Sequence, residues 1–145
     1  MLMKLILIGK LKDKMVQNKC DEYLKRLRHY GKIEVVELPD TGIENEGKAI
    51  LKELEKDRVR DFLVLTEEGK EFTSTQLSNR LASSDKKLVF LIGGPYGIAP
   101  EVKAAANTLW SLSKLTFPHE IARLLLCEQL FRAMNIANGG SYHHE

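Results

Sequence analysis

Gly93, Gly94 and Gly97 follow directly on the apolar run from Leu88 to Ile92. A glycine turn at the end of a buried strand lets backbone approach a ligand closely, at the carboxyl edge where α/β sheets place their sites. The same glycines also serve a tight strand-to-helix turn with no ligand. Further on, Arg123, Glu128 and Arg132 interrupt a segment that is otherwise apolar at Ile121, Leu124, Leu125, Leu130, Phe131 and Met134. Glu128 and Arg132 stand four apart, the spacing of an intrahelical ion pair. Charges on so apolar a segment also suit a site or an intersubunit polar network. His119, just after Pro118, either opens that helix or faces a site.

Missing motifs narrow the chemistry. Gly-Lys occurs at Gly9-Lys10, Gly31-Lys32, Gly47-Lys48 and Gly69-Lys70, and Ser or Thr never follows, so there is no Walker P-loop. The first apolar run ends in the single Gly9, so the dinucleotide fingerprint is missing. No Cys-x-x-Cys or His-x-x-x-His pair occurs, which argues against a metal site, and no Gly-x-Ser-x-Gly elbow is present.

The elements that must position these residues alternate. Leu5 to Ile8 reads as a strand, Lys14 to Tyr30 as a helix with Val16, Cys20, Tyr23, Leu24 and Leu27 on its apolar face, and Ile33 to Leu38 as a second strand. A helix follows from near Ile43, then a strand at Phe62 to Leu65 and a polar loop from Thr66 to Lys70. Thr73 and Gln76 have capping-box spacing and open a helix through Leu77 and Leu81. Leu88 to Ile92 is a strand covered on both faces, Pro100 opens a short helix, Leu109 to Leu112 form a strand, and a long helix runs from His119 to Ile136. Strands alternating with helices at these lengths imply an α/β fold: a mostly parallel sheet with helices on both faces, in one domain spanning residues 1–145. The final helix is apolar on more sides than one core-facing stripe needs, which points to a homodimer built partly on Ile121, Leu125 and Met134. The tail, residues 138–145, is too polar for core packing to hold.

Composition, at 43% hydrophobic and 29% charged residues, excludes disordered and collagen-like classes. No apolar run approaches the roughly 20 residues of a membrane span, and the opening apolar stretch is too short for a signal peptide. Cys20 and Cys127 both fall inside helical patterns and read as reduced, packed thiols, the usage of a cytoplasmic protein. Net charge is only +2, but residues 1–32 carry nine Lys or Arg against three acids. That concentration is either a solvated helix face or the footprint of a polyanion.

Four ordered motifs carry a resemblance that covers essentially the whole chain. They are Leu65-x-x-x-Gly69-Lys70-x-x-Thr73-Ser74, Ile92-Gly93-Gly94-x-x-Gly97, the run Leu112-Ser113-Lys114-Leu115-Thr116-Phe117-Pro118-His119, and Arg123 with Glu128-Gln129-Leu130-Phe131-Arg132-Ala133 and Tyr142-His143. Together they resemble the ribosomal RNA large subunit methyltransferase H family, small SPOUT-class enzymes. The resemblance implies a C-terminal trefoil knot, a homodimer, and transfer of methyl from S-adenosylmethionine to N3 of a pseudouridine in large-subunit ribosomal RNA on the assembled ribosome. It implies that Leu65, Gly93, Leu112, Ser113, Lys114, Leu115, Thr116 and Phe117 line the cofactor pocket. For the reacting end it offers Tyr142 and His143, with Arg123, Arg132 and His119 as cationic groups; phosphates would meet Lys10, Lys12, Lys14, Arg26 or Arg28. Thr66, Leu115 and Phe131 stand where the family usually has an acidic residue, methionine and tyrosine. The competing readings are a methyltransferase with another RNA target and a ribosome-binding module without chemistry.

Overall fold

The computed structural model describes residues 1–144, so Glu145, the last residue of the tail, lies outside the described residues. Five strands, β1 (Leu2–Ile8), β2 (Lys32–Leu38), β3 (Arg60–Glu71), β4 (Lys87–Ile92) and β5 (Thr108–Ser111), form one all-parallel sheet in the order β2-β1-β4-β3-β5. Between them run α1 (Lys14–Leu27), α2 (Ile43–Leu54), α3 (Ser74–Ala82) and α4 (Pro100–Ala105), and α5 (His119–Ala137) closes the chain.

Side chains alternate along each strand, and this divides the core in two. Met3, Leu5 and Leu7 of β1, Leu88, Phe90 and Ile92 of β4 and Leu63 of β3 face α1, α3 and α5. Ile6, Ile8, Val89, Leu91, Phe62 and Val64 face α2 and α4. Helices therefore cover both faces, as the apolar runs imply. Helix starts follow local chemistry: the Asp13 side chain accepts from the amides of Met15 and Val16, Thr73 and Gln76 complete a capping box, and Pro100 occupies the first turn of α4.

Four local expectations need correction. The helix expected through Tyr30 ends at Leu27 and tightens into a 3-10 turn, Arg28–Tyr30. The polar stretch 66–70 is no loop but belongs to β3, because β5 pairs with β3 at Leu63 to Leu65 and again at Lys70 and Glu71, across a register shift. Gly69 permits this approach, since a Cβ there would lie 2.5 Å from the backbone of Leu109 and Trp110. Met134, expected at a subunit surface, is 8% exposed and belongs to the core under α5. The many-sided apolarity of α5 arises largely within the chain, because α5 lies on the sheet between α1 and α3. Finally, the tail packs back on α5: the Tyr142 amide donates to Asn135 Oδ1, and the Tyr142 ring meets Phe131 edge-on at 4.8 Å. Cys20 of α1 and Cys127 of α5 are buried free thiols in contact with each other.

Candidate active site

At the carboxyl ends of β3, β4 and β5 the chain encloses a cavity of about 350 Å³, within the range of small-molecule sites. Leu65 to Glu68 form one wall, Ile92 to Pro95 with Gly97 and Ile98 a second, and Leu112, Ser113 and Leu115 to Phe117 a third. Lys103 of α4 and His119 and Ala122 of α5 close it. All of the pocket positions expected from the sequence line it except Lys114, which is exposed outside the wall. Ile98, Glu67, Glu68 and Lys103 are lining residues that motif reading missed. Ile98, Glu67 and Glu68 carried only their nearness to Gly97 and Leu65 as a signal, and Lys103 carried none.

The second wall is rigid. Gly94 and Gly97 bridge each other, the Gly97 amide donates to Gly94 O at 3.2 Å, and Gly97 has φ +103°, a conformation that favours glycine. A Cβ on Gly93 would lie 2.5 Å from Ile98 Cγ1, so the glycine allows Ile98 to pack beneath the turn and form the wall. Internal hydrogen bonds shape the third wall: Ser111 Oγ donates to Ser113 O at 2.8 Å and the Leu115 amide to Ser113 Oγ at 3.0 Å. The Thr116 hydroxyl donates to Glu67 at 2.8 Å and ties this wall to the first. Backbone edges and apolar side chains predominate among the lining residues. Among the described residues no group of three or more His, Cys, Asp or Glu is gathered as a metal site.

The first turn of α5 is clamped to the chain after β1. Glu120 accepts from the amides of Lys12 and Asp13 at 2.9 and 3.0 Å, and His119 Nε2 donates to the carbonyl of Ile8. His119 thus reaches the cavity with one ring nitrogen already engaged. Arg123 is directed elsewhere: it is 8% exposed, and its guanidinium pairs with Glu37 of β2 at 2.6 Å. That pair spends its charge on holding α5 to the sheet.

Tyr142, His143, Arg132 and Glu128 come together at the other end of α5. Arg132 pairs with Glu128 at 2.9 Å, donates to His143 Nδ1 at 3.0 Å and lies over the Tyr142 ring at 4.7 Å. The Tyr142 hydroxyl lies 3.4 Å from Tyr23 and 3.5 Å from Glu128. Burial pushes the Tyr142 phenol up to about 12, helped by the Tyr23 hydrogen bond and the Glu128 charge. The hydrogen bond to Glu128 raises Arg132 further above the ordinary arginine value. Phe131 has no hydroxyl to satisfy and serves as an aromatic floor, with Tyr23 at 6.2 Å, Tyr30 at 6.4 Å and Arg26 over its ring at 5.7 Å. Tyr23, Arg26 and Tyr30 are contributors the motifs did not announce.

His119 and Arg132 lie thirteen residues apart on one helix, which at the α-helical rise separates them by about 20 Å. The tail residues Tyr142 and His143, gathered at Arg132, therefore lie far from the cavity of their own chain.

The class follows from comparison with known proteins. A family model described as "Predicted SPOUT methyltransferase" matches residues 1–143. A solved structure titled as a probable methylase family protein from Haemophilus influenzae shares the fold, with a TM-score of 0.62 at 11% identity over 99% of this chain and 70% of that one. The fold is that of a SPOUT methyltransferase. Three proteins named Ribosomal RNA large subunit methyltransferase H are similar over almost their full lengths. That of Gloeobacter violaceus is 40% identical over 99% of both chains, that of Prochlorococcus marinus strain MIT 9211 is 44% identical over 97% of this chain and 94% of its own, and that of Streptococcus thermophilus strain LMD-9 is 42% identical over 99% of both. At that identity and coverage the chain belongs to the ribosomal RNA large subunit methyltransferase H family.

Proposed function

We propose that this protein transfers the methyl group of S-adenosylmethionine to N3 of a pseudouridine in large-subunit (23S) ribosomal RNA, on the assembled ribosome in the cytoplasm, as a homodimer needing no metal. The cavity carries the reading, because in a chain of this family the three segments that enclose it are the ones expected to hold the methyl donor. Bound there, S-adenosylmethionine would supply an electrophilic methyl on a sulfonium, with no phosphate to cradle. Leu65, Ile98, Leu112 and Phe117 would exclude water, Gly93 would let backbone approach, and the Ser113–Thr116 turn would fix orientation.

Methylation at N3 requires loss of the N3 proton. Because Arg132 donates to Nδ1 of His143, the neutral ring carries its own proton on Nε2, and Tyr142 is a phenol at neutral pH. Both groups would therefore act as donors that stabilise charge developing on the base, Arg132, itself paired with Glu128, would orient His143, and the N3 proton would pass to solvent water. Ile121, Leu125, Glu128 and Arg132 share one outer face of α5, with Ile121 38% exposed. Two copies meeting there about a twofold axis perpendicular to α5 would run antiparallel, and the tail of one would reach the cavity of the other. In this arrangement the C-terminal segment keeps the trefoil knot of its family. Exposed Lys10, Lys12, Lys14, Lys25, Arg28 and Lys32 have no ion pair among the described residues and would meet phosphates. Arg26 is already paired with Glu22.

The test is transfer of labelled methyl from S-adenosylmethionine to ribosomes, free large subunits and naked RNA side by side. Labelling of N3 on assembled ribosomes is expected, and none on any species overturns the reading. Mixing Gly93→Val protein with protein truncated before Tyr142 should restore activity through mixed dimers. If it does not, the two-chain site fails.

A further inference from the structure

Three charged side chains line the cavity, and they are not equally committed. Lys103 and Glu68 pair at 2.7 Å and cancel each other. Glu67 faces the same space, where its partner is the neutral Thr116 hydroxyl at 2.8 Å and no cation among the described residues lies within ion-pairing distance. The cavity thus keeps one uncompensated negative charge, and the hydroxyl holds that carboxylate in place.

We propose that Glu67 is a specificity-determining residue that favours the charged methyl donor over its demethylated product. This rests on the reading of the cavity as the S-adenosylmethionine site. The donor and product share the adenosine and the amino-acid zwitterion, and they differ in charge only at sulfur, a sulfonium in the donor and a neutral thioether in the product. Adenosine-binding walls cannot tell them apart, but a fixed carboxylate can, because its attraction acts on the sulfonium alone. When the methyl leaves, the sulfur becomes neutral, the attraction vanishes and the product is released more readily. Glu67 is solvent-exposed, so the effect is modest and screened by salt.

Calorimetry with three ligands tests this: S-adenosylmethionine, S-adenosylhomocysteine, and sinefungin, an analogue with a protonated amine in place of the methylated sulfur. Glu67→Gln should weaken binding of the two cationic ligands by about threefold to tenfold and change the neutral one less than twofold. Glu67→Asp should retain part of the preference, and added salt should shrink the wild-type preference but not that of Glu67→Gln. The double variant Glu44→Gln with Lys48→Met removes an exposed ion pair outside the cavity and should leave the ratio where it was. An unchanged ratio in Glu67→Gln, or an equal change in the double variant, overturns the role of Glu67. Failure of the unaltered protein to bind any of the three overturns the cofactor reading on which it rests.

Discussion

At the amino edge of the sheet Lys4 is 1% exposed, yet its Nζ lies 2.6 Å from Glu53 and 2.9 Å from Asp57, and Lys87 bridges Asp57 and Glu34 at 2.8 and 3.0 Å. At the carboxyl edge Glu67 faces a 350 Å³ cavity with a single hydroxyl as partner, and His119 reaches the same space. Burial pulls the Lys4 ammonium down, but its hydrogen bonds to Glu53 and Asp57 outweigh that and hold it above the ordinary lysine value. The Lys4 hydrogen bond holds Glu53 below the usual carboxylate range; Asp57 is held low as well, against desolvation, by Lys87 and Lys4. Where the charges satisfy one another the sheet is closed, and where one stays open there is something for a ligand to complete.

Stranding a charge at the closed end should have the largest effect. Glu53→Gln combined with Asp57→Asn leaves the buried Lys4 ammonium with only the half-exposed Glu34, 3.9 Å away, as a charged partner and should cost about 3–5 kcal/mol in urea unfolding. Adding Lys4→Met should recover most of that, because the network owes little to net Coulomb gain and much to leaving no charge unpaired. Recovery of none would mean that packing around Lys4 carries the effect.

At the open end, function should fail while the fold holds. Removing residues from Tyr142 onward should lower methyl transfer about 10²-fold or more with donor affinity nearly unchanged, since Tyr142, His143 and Arg132 gather about 20 Å from the cavity of their own chain. Full activity of the truncated protein would move the chemistry to His119. Gly93→Val should cost about 1–3 kcal/mol of stability and weaken donor binding, by pushing Ile98 from beneath the turn. Calorimetry alongside thermal unfolding separates the two effects.

The smallest effect is acid sensitivity. Glu53, Asp57 and Asp61 are all held below their unfolded values; for Asp61 the leading cause is its hydrogen bond with Arg80. Their stabilisation is therefore fully present above about pH 4–5 and is lost as pH falls through the lower folded values. A melting temperature that drops below about pH 4 in the unaltered protein, and less steeply in the Asp61→Asn variant, would show it.

Much of the fold was legible because it is local. The continuous apolar runs Leu5 to Ile8 and Leu88 to Ile92, the Thr73–Gln76 capping box and Pro100 each act within a few residues, and all did what their chemistry dictates. The cavity walls were legible in part, since Leu65, Gly93 and the Leu112–Phe117 run carry motif spacing, whereas Lys103 has nothing in its own neighbourhood to mark it. Lys4 in an apolar strand could not announce its burial, because its partners lie about 50 residues away on another element.

The amino-acid sequence by itself determined the alternation of strands and helices, which faces are apolar, the glycine turn after β4 and the family. Tertiary structure decided what meets what. The order β2-β1-β4-β3-β5 brings the ends of β3, β4 and β5 to one cavity, pairs β5 with two separated pieces of β3, and turns Arg123 onto Glu37. It also leaves Tyr142 and His143 at the far end of α5 from His119. Periodicity records only which side of an element is buried, whereas the distance between two sites depends on how whole elements are ordered and on the rigid length of the helix between them.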